Sequence, residues 1–215
     1  MQKVRKAIIP VAGLGTRMLP ATKAIPKELL PIVNKPLIQY VVEEAISAGI
    51  TEIIFITRSG KEAIENHFDS NYELEKRLEL VNKKKILRSV KNILKKNIKI
   101  ISIRQEDALG LGHAISLAEH LVKNEPFAVL LPDELIISNS LENDLKKMTE
   151  RFSKKNIGQI LVEKVSRKEI SNYGAVIMKK NNIKKNEPKP IIKLIEKPLG
   201  KNILSTYRVT GRYIL

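Results

Sequence analysis

The sequence predicts an α/β fold with a mixed, mostly parallel central sheet and helices on both of its faces. β-branched apolar segments alternate with segments of helical periodicity as far as Val165, and helical periodicity disappears from Tyr173 onward. A loop with two glycines also follows the first apolar segment directly. Ligands of such sheets bind at the carboxyl ends of the strands, so we expect functional residues there.

The predicted elements follow one another along the chain. Val4 to Ala12 forms a buried strand, and a helix begins at Pro36 with an apolar face that leaves Glu43 and Glu44 outside. Further strands are predicted at 51–57, 98–103, 127–131, 159–165, 175–178, 191–195 and 208–214. Further helices are predicted at 61–68, 113–121 and 141–152, and a turn at Asn181-Asn182.

Length and composition favour one globular domain over residues 1–215. The chain has 215 residues, of which 43% are hydrophobic, which is enough to bury a substantial core. Zero cysteines exclude disulfides and thiolate metal sites. The sequence has neither a run of apolar residues long enough to span a membrane nor the apolar region of a signal peptide. We therefore expect a cytoplasmic protein that does not associate with membranes.

The net charge of +16 is concentrated in one segment. Between Lys76 and Lys99 ten lysines or arginines face a single acidic residue, Glu79. The charges flank isoleucines and leucines at helical spacing, and no aromatic residues alternate with them to stack on bases. We interpret the segment as a solvated helical face, with binding to nucleic acid as the less favoured alternative.

The glycine-containing loop has features of a phosphate-binding site. Gly13-Leu14-Gly15-Thr16-Arg17 follows the first strand, and Pro26-Lys27-Glu28 places a lysine ten residues after Arg17. Glycines let backbone N–H groups approach a polyanion, arginine offers a planar fork to phosphate, and lysine adds a point charge. The spacing matches neither a Walker loop nor the dinucleotide-binding fingerprint. The segment is therefore predicted to hold the phosphates of a nucleotide.

The run from Val11 to Ile38 resembles the nucleotidyltransferases that join a nucleoside triphosphate to a sugar 1-phosphate. The resemblance is strongest to the bacterial branch that uses UTP and glucose 1-phosphate. It implies a Rossmann-like nucleotidyltransferase fold, Mg²⁺ as cofactor, and UDP-glucose and pyrophosphate as products. It also implies a nucleotide-binding half over 1–135 and an incomplete sugar-phosphate-binding half over 136–215.

The resemblance also assigns roles to individual residues. Arg17 and Lys27 would clamp the triphosphate as catalytic cations, and Asp133 would hold Mg²⁺. The remaining nucleotide contacts would come from Ala12, Gly13, Gly15, Thr16, Glu28, Gln105, Gly110 and Gly112. The sugar phosphate would be bound by Gly174, Glu196, Lys197 and Thr210.

The chemistry of the side chains bears on three of these assignments independently of the resemblance. A carboxylate such as Asp133 at the end of a buried strand is costly unless it pairs or binds a cation. The amide of Gln105 offers a donor and an acceptor, which suits a pyrimidine edge. Glu28 either positions the nucleotide or pairs with Lys27. His113 is expected to be structural, because the transfer needs no imidazole.

Two rival functions remain open at this stage. In the thymidylyltransferase branch, which makes dTDP-sugars, glutamine is typical where this chain has Glu28. The other rival is an inactive nucleotide-binding remnant, because the family pattern continues beyond Leu215 with further strands, a second metal-binding aspartate and much of the subunit interface. We therefore expect these 215 residues to show little transferase activity and a full-length form to be a homo-oligomer.

Overall fold

The computed structural model describes residues 2–137, 143–179, 184, 186–200 and 203–215. The turn predicted at Asn181-Asn182 lies outside these residues. The strands are β1 (Lys6–Pro10), β2 (Pro31–Ile32), β3 (Lys35–Pro36), β4 (Glu52–Thr57), β5 (Lys99–Arg104), β6 (Phe127–Leu130), β7 (Gln159–Lys164), β8 (Gly174–Met178), β9 (Ile191–Glu196) and β10 (Tyr207–Ile214). The α-helices are α1 (Leu37–Ser47), α2 (Glu62–Phe68), α3 (Tyr72–Leu80), α4 (Lys84–Lys91), α5 (Leu111–Ser116), α6 (Glu119–Val122) and α7 (Asp144–Lys155). Short 3₁₀ helices cover Thr16–Met18, Ala21–Lys23, Lys27–Leu29 and Ile170–Asn172.

A mixed sheet forms the centre of the fold. Among the described residues it has eight strands in the order β5-β4-β1-β6-β10-β8-β9, and β7 pairs with β10. β5, β4, β1 and β6 are parallel, whereas β10 runs antiparallel to β6, β7 and β8, and β9 antiparallel to β8. The mixed α/β sheet agrees with the sequence-based prediction. β2 and β3 form a separate two-stranded ribbon that was not predicted.

Helices cover both faces of the parallel strands, as predicted. Successive side chains of a strand point to opposite faces. On β1, Ile9 accordingly packs in the core formed with α1, α2 and α7, whereas Ile8 packs in the core formed with α5 and α6. Both isoleucines are fully buried. The long helix predicted over 113–121 is instead the two short helices α5 and α6.

The basic segment forms the two exposed helices α3 and α4. Neither helix has a buried residue, and the charged side chains pair locally, with Lys76 3.0 Å from Glu79 and Lys91 3.5 Å from Glu75. This arrangement agrees with the predicted solvated helical face. Within the described part of the chain, no helix has the length and apolar character needed to cross a membrane.

Strand β10 has an irregularity that places Arg212 inside the protein. Its register against β7 shifts between Val209 and Tyr213, and Gly211 has a φ of +63°. A Cβ at Gly211 would lie only 2.8 Å from Cβ of Leu131. Glycine therefore allows β10 to approach the end of β6 closely, and the next residue, Arg212, is completely buried.

Candidate active site

The predicted nucleotide-binding residues lie at the carboxyl ends of neighbouring parallel strands. The loop after β1 is tied to β4 by a hydrogen bond of 2.8 Å from Val11 N to Ile56 O, and the loop after β5 by one of 2.7 Å from Gln105 N to Thr57 O. These bonds hold the two loops side by side. The segment after β6, which carries Asp133, leaves the sheet at the same edge because β1 and β6 are parallel neighbours.

The glycine loop, residues 11–16, packs closely against the motif lysine. Gly15 has a φ of +70°, and a Cβ on it would lie 3.3 Å from Cβ of both Thr22 and Lys27. The Thr22 hydroxyl donates a hydrogen bond of 2.7 Å to Gly15 O. A Cβ at Gly13 would lie 3.7 Å from Nζ of Lys27. The lysine therefore extends along the loop, where a side chain at position 15 would disturb it.

Lys27 and Asp133 form an ion pair at the mouth of the site. Nζ of Lys27 donates to Oδ2 of Asp133 at 2.8 Å, although the two residues are 106 positions apart in the chain. The Asp133 side chain is 45% exposed and that of Lys27 17%. The structure thus brings together the proposed phosphate-binding cation and the proposed metal ligand, and leaves the carboxylate open to solvent.

Glu28 is fully buried and pairs with Lys61, not with Lys27. Oε2 of Glu28 lies 2.7 Å from Nζ of Lys61, which is itself buried. The alternative that Glu28 pairs with Lys27 is therefore wrong. The pair fixes the 3₁₀ helix that carries Lys27, and it leaves Lys27 to point toward Asp133. Oε1 of Glu28 is buried and has no hydrogen-bond partner among the described residues.

Arg17 lies exposed on the short helix that follows the glycine loop. Within the described residues it forms no ion pair or side-chain hydrogen bond, so its guanidinium can take up an incoming anion without breaking a contact. Gly13 and Thr16 are also exposed, whereas Ala12 is buried at the start of the loop.

Gln105 is held in place by a histidine. Its side chain is buried, and its amide Nε2 lies 2.9 Å from Nδ1 of His113 on α5. Because an amide N–H₂ group can only donate, Nδ1 accepts this bond. Gly110 immediately precedes α5 and Gly112 lies in its first turn. His113 therefore orients the amide of Gln105, which accords with its predicted structural role.

The predicted sugar-phosphate residues meet where β8 and β9 pair. Gly174 lies opposite Glu196, and a Cβ on Gly174 would lie 3.2 Å from Oε2 of that carboxylate. Nζ of Lys197 lies 3.9 Å from Oε1 of Glu196. Thr210 differs, because its side chain is buried and its hydroxyl donates a bond of 3.1 Å to Leu161 O on β7. The hydroxyl of Thr210 is thus already bonded to β7.

Arg208 connects this group to the neighbour of Asp133, a link that the sequence did not indicate. Its guanidinium lies 4.6 Å from the centre of the Tyr173 ring. It also forms ion pairs with Glu134 at 3.0 Å and Glu163 at 2.9 Å. Burial raises the pKa of Glu134 above its ordinary value, and the adjacent Arg208 opposes that shift. Glu134 therefore pairs with Arg208, whereas the adjacent Asp133 pairs with Lys27.

The geometry suits a metal ion whose ligands are shared between the protein and a bound nucleotide. It does not suit a metal ion held by protein side chains alone. The described residues contain no cluster of three or more His, Asp or Glu side chains able to hold a metal. Mg²⁺ is commonly held by one or two carboxylates together with phosphate oxygens and waters. The exposed carboxylate of Asp133 beside the glycine loop fits this pattern.

Residues 6–215 match the family described as nucleotidyl transferase. The chain belongs to this family. A UTP–glucose-1-phosphate uridylyltransferase of Haemophilus ducreyi is 48% identical over 212 residues, which cover 97% of this chain and 72% of the relative. These matches support the nucleotidyltransferase fold and the family resemblance carried by the segment from Val11 to Ile38.

Solved structures of nucleotidyltransferases superpose closely on the chain. The UTP-bound UGPase from Acinetobacter baumannii has a TM-score of 0.94 and 43% identity, and the match covers 99% of this chain and 74% of that one. A UDP-glucose pyrophosphorylase complexed with UDP-glucose has a TM-score of 0.84 and 41% identity, with 99% and 76% covered. The match extends over both the parallel and the antiparallel strands.

Two residues that support the site were missed from the sequence. Lys61 anchors Glu28, and Arg212 forms a bidentate ion pair with Glu44 and bonds to the turn that carries Asp133. His113 was predicted to be structural, but not as the partner of Gln105. Glu44 was predicted to face solvent, which is wrong, because only 12% of its side chain is exposed. An arginine inside the apolar strand β10 was the one available signal, since a buried charge requires a partner.

Proposed function

We propose that this nucleotidyltransferase transfers the uridylyl group of UTP to glucose 1-phosphate and releases pyrophosphate, with Mg²⁺ as cofactor. The observation that carries the proposal is the Lys27–Asp133 ion pair of 2.8 Å beside the glycine loop. It joins a phosphate-binding cation to an exposed carboxylate at the carboxyl ends of β1 and β6. The names and bound ligands of the relatives favour UTP and glucose 1-phosphate among the possible substrates.

The proposed reaction needs positioning and charge neutralisation. A phosphate oxygen of glucose 1-phosphate forms a bond to the α-phosphorus of UTP, and the bond from that phosphorus to the bridging oxygen of pyrophosphate breaks. The attacking oxygen comes from the sugar phosphate, so no nucleophilic side chain is required. In this scheme Arg17 and Lys27 stabilise the charge that develops on the transferring group.

The proposed Mg²⁺ would be held by Asp133 together with phosphate oxygens of the nucleotide. When bound, the ion supplies further neutralisation of the phosphate charge. Lys27 would then exchange its carboxylate partner for a phosphate of UTP.

The substrates' outer parts would be recognised on either side of this centre. Gln105 would bond to the uracil edge, with the backbone at Gly110 and Gly112 completing the base pocket. The backbone of Ala12, Gly13, Gly15 and Thr16 would border the phosphates, and Glu28 would position the nucleotide indirectly, because its pair with Lys61 holds the 3₁₀ helix that carries Lys27. Glu196 would accept bonds from sugar hydroxyls, Lys197 would bind the sugar's phosphate, Gly174 would leave room for the hexose, and Thr210 would contribute through its backbone.

We further propose that the whole of residues 1–215 acts as one catalytic domain, with a nucleotide-binding half at 1–135. The site of action would be the cytoplasm, where nucleoside triphosphates are abundant, and a full-length form would be a homo-oligomer. Nucleic acid is not proposed as a partner. The basic charge of α3 and α4 is partly neutralised by pairing with Glu75 and Glu79.

A coupled pyrophosphate-release assay tests the proposed reaction. The purified chain is given Mg²⁺, glucose 1-phosphate and, in parallel, UTP, dTTP, ATP or GTP. We expect release that requires both substrates and is fastest with UTP, even if the absolute rate is low. Faster release with dTTP would favour the thymidylyltransferase alternative. Binding of UTP without any sugar-dependent release would favour the inactive nucleotide-binding alternative.

A further inference from the structure

Arg212 is a buried arginine whose hydrogen bonds converge on the segment that carries Asp133. Its side chain has no exposed surface. Nε lies 3.0 Å from Oε1 of Glu44, and Nη2 lies 2.7 Å from Oε2 of the same carboxylate. Nη1 donates to Leu131 O at 3.1 Å, and Nη2 also donates to Glu134 O at 2.8 Å.

Arg212 donates to three carbonyls, of which those of Leu131 and Glu134 lie on either side of Asp133 and the third is that of Gly211, 3.2 Å from Nη1. Leu131 precedes Pro132 and Asp133, and Glu134 follows them. A second bond supports the same segment from β10, because Leu131 N donates to Gly211 O at 2.9 Å. One guanidinium thus fixes both ends of the turn from which the Asp133 carboxylate projects toward Lys27.

The opposite side of the guanidinium is fixed to a rigid element. Glu44 lies on α1, whose inner face packs in the core together with β1 and α7. A bidentate pair between arginine and carboxylate restricts orientation as well as distance. The Asp133 turn is thereby fixed in position relative to α1 as well as to the end of β6.

The chemistry of this contact suggests more than a contribution to stability. Removing a charged pair from water is expensive, and well-packed apolar residues often replace such pairs without loss of stability. Apolar side chains could not, however, donate to the carbonyls of Leu131 and Glu134. The pair is therefore suited to holding a turn in one orientation, which is what a ligand residue needs.

We propose that Arg212, oriented by Glu44, is a positioning residue that aims the Asp133 carboxylate at the metal of a bound Mg²⁺–UTP complex. The inference rests on the proposed function, because it needs Asp133 to be a metal ligand. Groups that orient a metal ligand typically affect metal affinity about 10- to 100-fold when they are replaced.

The test measures how much Mg²⁺ is required for UTP binding. Calorimetry gives the Mg²⁺ concentration at which UTP affinity is half-maximal for the parent chain, Arg212→Lys and Glu44→Gln. Lysine keeps the positive charge at position 212 but lacks the planar guanidinium that binds Glu44 in bidentate fashion. Glutamine keeps the shape of Glu44 but removes its negative charge. We expect the required Mg²⁺ concentration to rise roughly tenfold in each variant, with UTP affinity in the presence of a chelator unchanged.

Lys6→Met is the matched control. Lys6 lies at the amino end of β1, far from the carboxyl-end site, and it too is a largely buried cation with two partners, Leu121 O at 2.7 Å and Glu125 at 2.9 Å. We expect it to lower the melting temperature without changing the Mg²⁺ requirement. An equal rise in the Mg²⁺ requirement in Lys6→Met would overturn the inference, because general loosening would then explain the effect.

Asp133→Asn separates failure of this inference from failure of the proposed function. If Asp133→Asn raises the Mg²⁺ requirement but Arg212→Lys and Glu44→Gln do not, Asp133 remains the metal ligand and the positioning role is refuted. If Asp133→Asn has no effect, the proposed metal site is wrong and the inference fails with it. Should Arg212→Lys not fold, the milder Glu44→Gln decides between these outcomes.

Discussion

The parallel and the antiparallel parts of the central sheet hold their proposed functional groups in different ways. In residues 2–137 the helix of Lys27 and the turn of Asp133 are fixed by buried partners, since Lys61 fixes Glu28 and Arg212 fixes the turn of Asp133. In residues 143–215 the proposed sugar-site residues Glu196 and Lys197 are exposed and contact each other at 3.9 Å. Ion pairs between exposed groups contribute little, so the sugar side is only weakly fixed.

The proposed phosphate side is therefore the more preorganised part of the site. Transfer of a phosphoryl-type group depends on charges that are already in place when the transition state forms. The sugar hydroxyls, by contrast, mainly determine how well the acceptor is bound. We therefore expect substitutions on the phosphate side to reduce turnover and those on the sugar side to reduce acceptor affinity.

The largest expected effect comes from removing the phosphate-side cations. In a full-length form, Arg17→Ala and Lys27→Ala should each lower kcat/KM for pyrophosphate release about a hundredfold, or about 3 kcal/mol, because a charge that stabilises the transferring group is lost. The same assay on Arg5→Ala, an exposed arginine at the amino end of β1, provides the control. Parent-like kinetics in Arg17→Ala and Lys27→Ala would refute the proposed clamp.

A smaller and different effect is expected on the sugar side. Glu196→Gln should raise KM for glucose 1-phosphate roughly tenfold, since bonds to a charged acceptor are lost, and leave KM for UTP nearly unchanged. Initial rates measured with each substrate varied in turn separate the two constants. A fall in kcat alone, without a change in the acceptor KM, would contradict the division of roles between the parallel and the antiparallel parts of the sheet.

The two regions meet where Gly211 on β10 contacts Leu131 at the end of β6, and a substitution of Gly211 tests this contact. Gly211→Ala should destabilise the protein by about 2 kcal/mol, because a non-glycine residue is strained there and its Cβ would also contact Leu131. Gly49→Ala is the matched control, since Gly49 likewise has a positive φ but has nothing within 4 Å of the position that a Cβ would take. Urea unfolding compares them, and an equal loss in both variants would show that the contact between β10 and β6 is unimportant.

The smallest expected effect concerns pH. Burial lowers the pKa of His67 below its ordinary 6.5, and its Nε2 lies 3.0 Å from Oε1 of Gln39 on α1. As the pH falls, His67 is protonated in the unfolded chain before it is protonated in the folded chain. The free energy of unfolding should therefore decrease as the pH drops below about 6.5. His67→Gln should flatten this part of the stability curve, whereas His120→Gln, at an exposed position, should not. Identical slopes in the parent and His67→Gln would contradict the assignment.

Much of the fold was predictable because its signals are local. β-branched runs and helical spacing located the strands of the sheet and the helices α1, α2 and α7 to within a few residues. β2 and β3 were missed because strands of two residues have no measurable periodicity. The break between α5 and α6 was missed because the apolar spacing continues across it.

The residues of the candidate site that belong to local sequence motifs were predictable, whereas their long-range partners were not. Strand ends and glycines placed Lys27 and Asp133 at one edge of the sheet, and the structure brings them into contact. The pair of Arg212 with Glu44 joins residues 168 positions apart, and nothing in the local pattern of α1 identifies the partner. Contacts of this kind depend on the register of β10, which is set by the irregularity at Gly211.

The most direct test of the central claim is nucleotide selectivity in the presence of Mg²⁺. Calorimetric titrations of the 215-residue chain with UTP, ATP and GTP compare the affinities under identical conditions, and Gln105→Ala tests the proposed base-reading residue. We predict that UTP binds most tightly and that Gln105→Ala reduces this preference. Equal affinities for the pyrimidine and purine triphosphates would contradict the account.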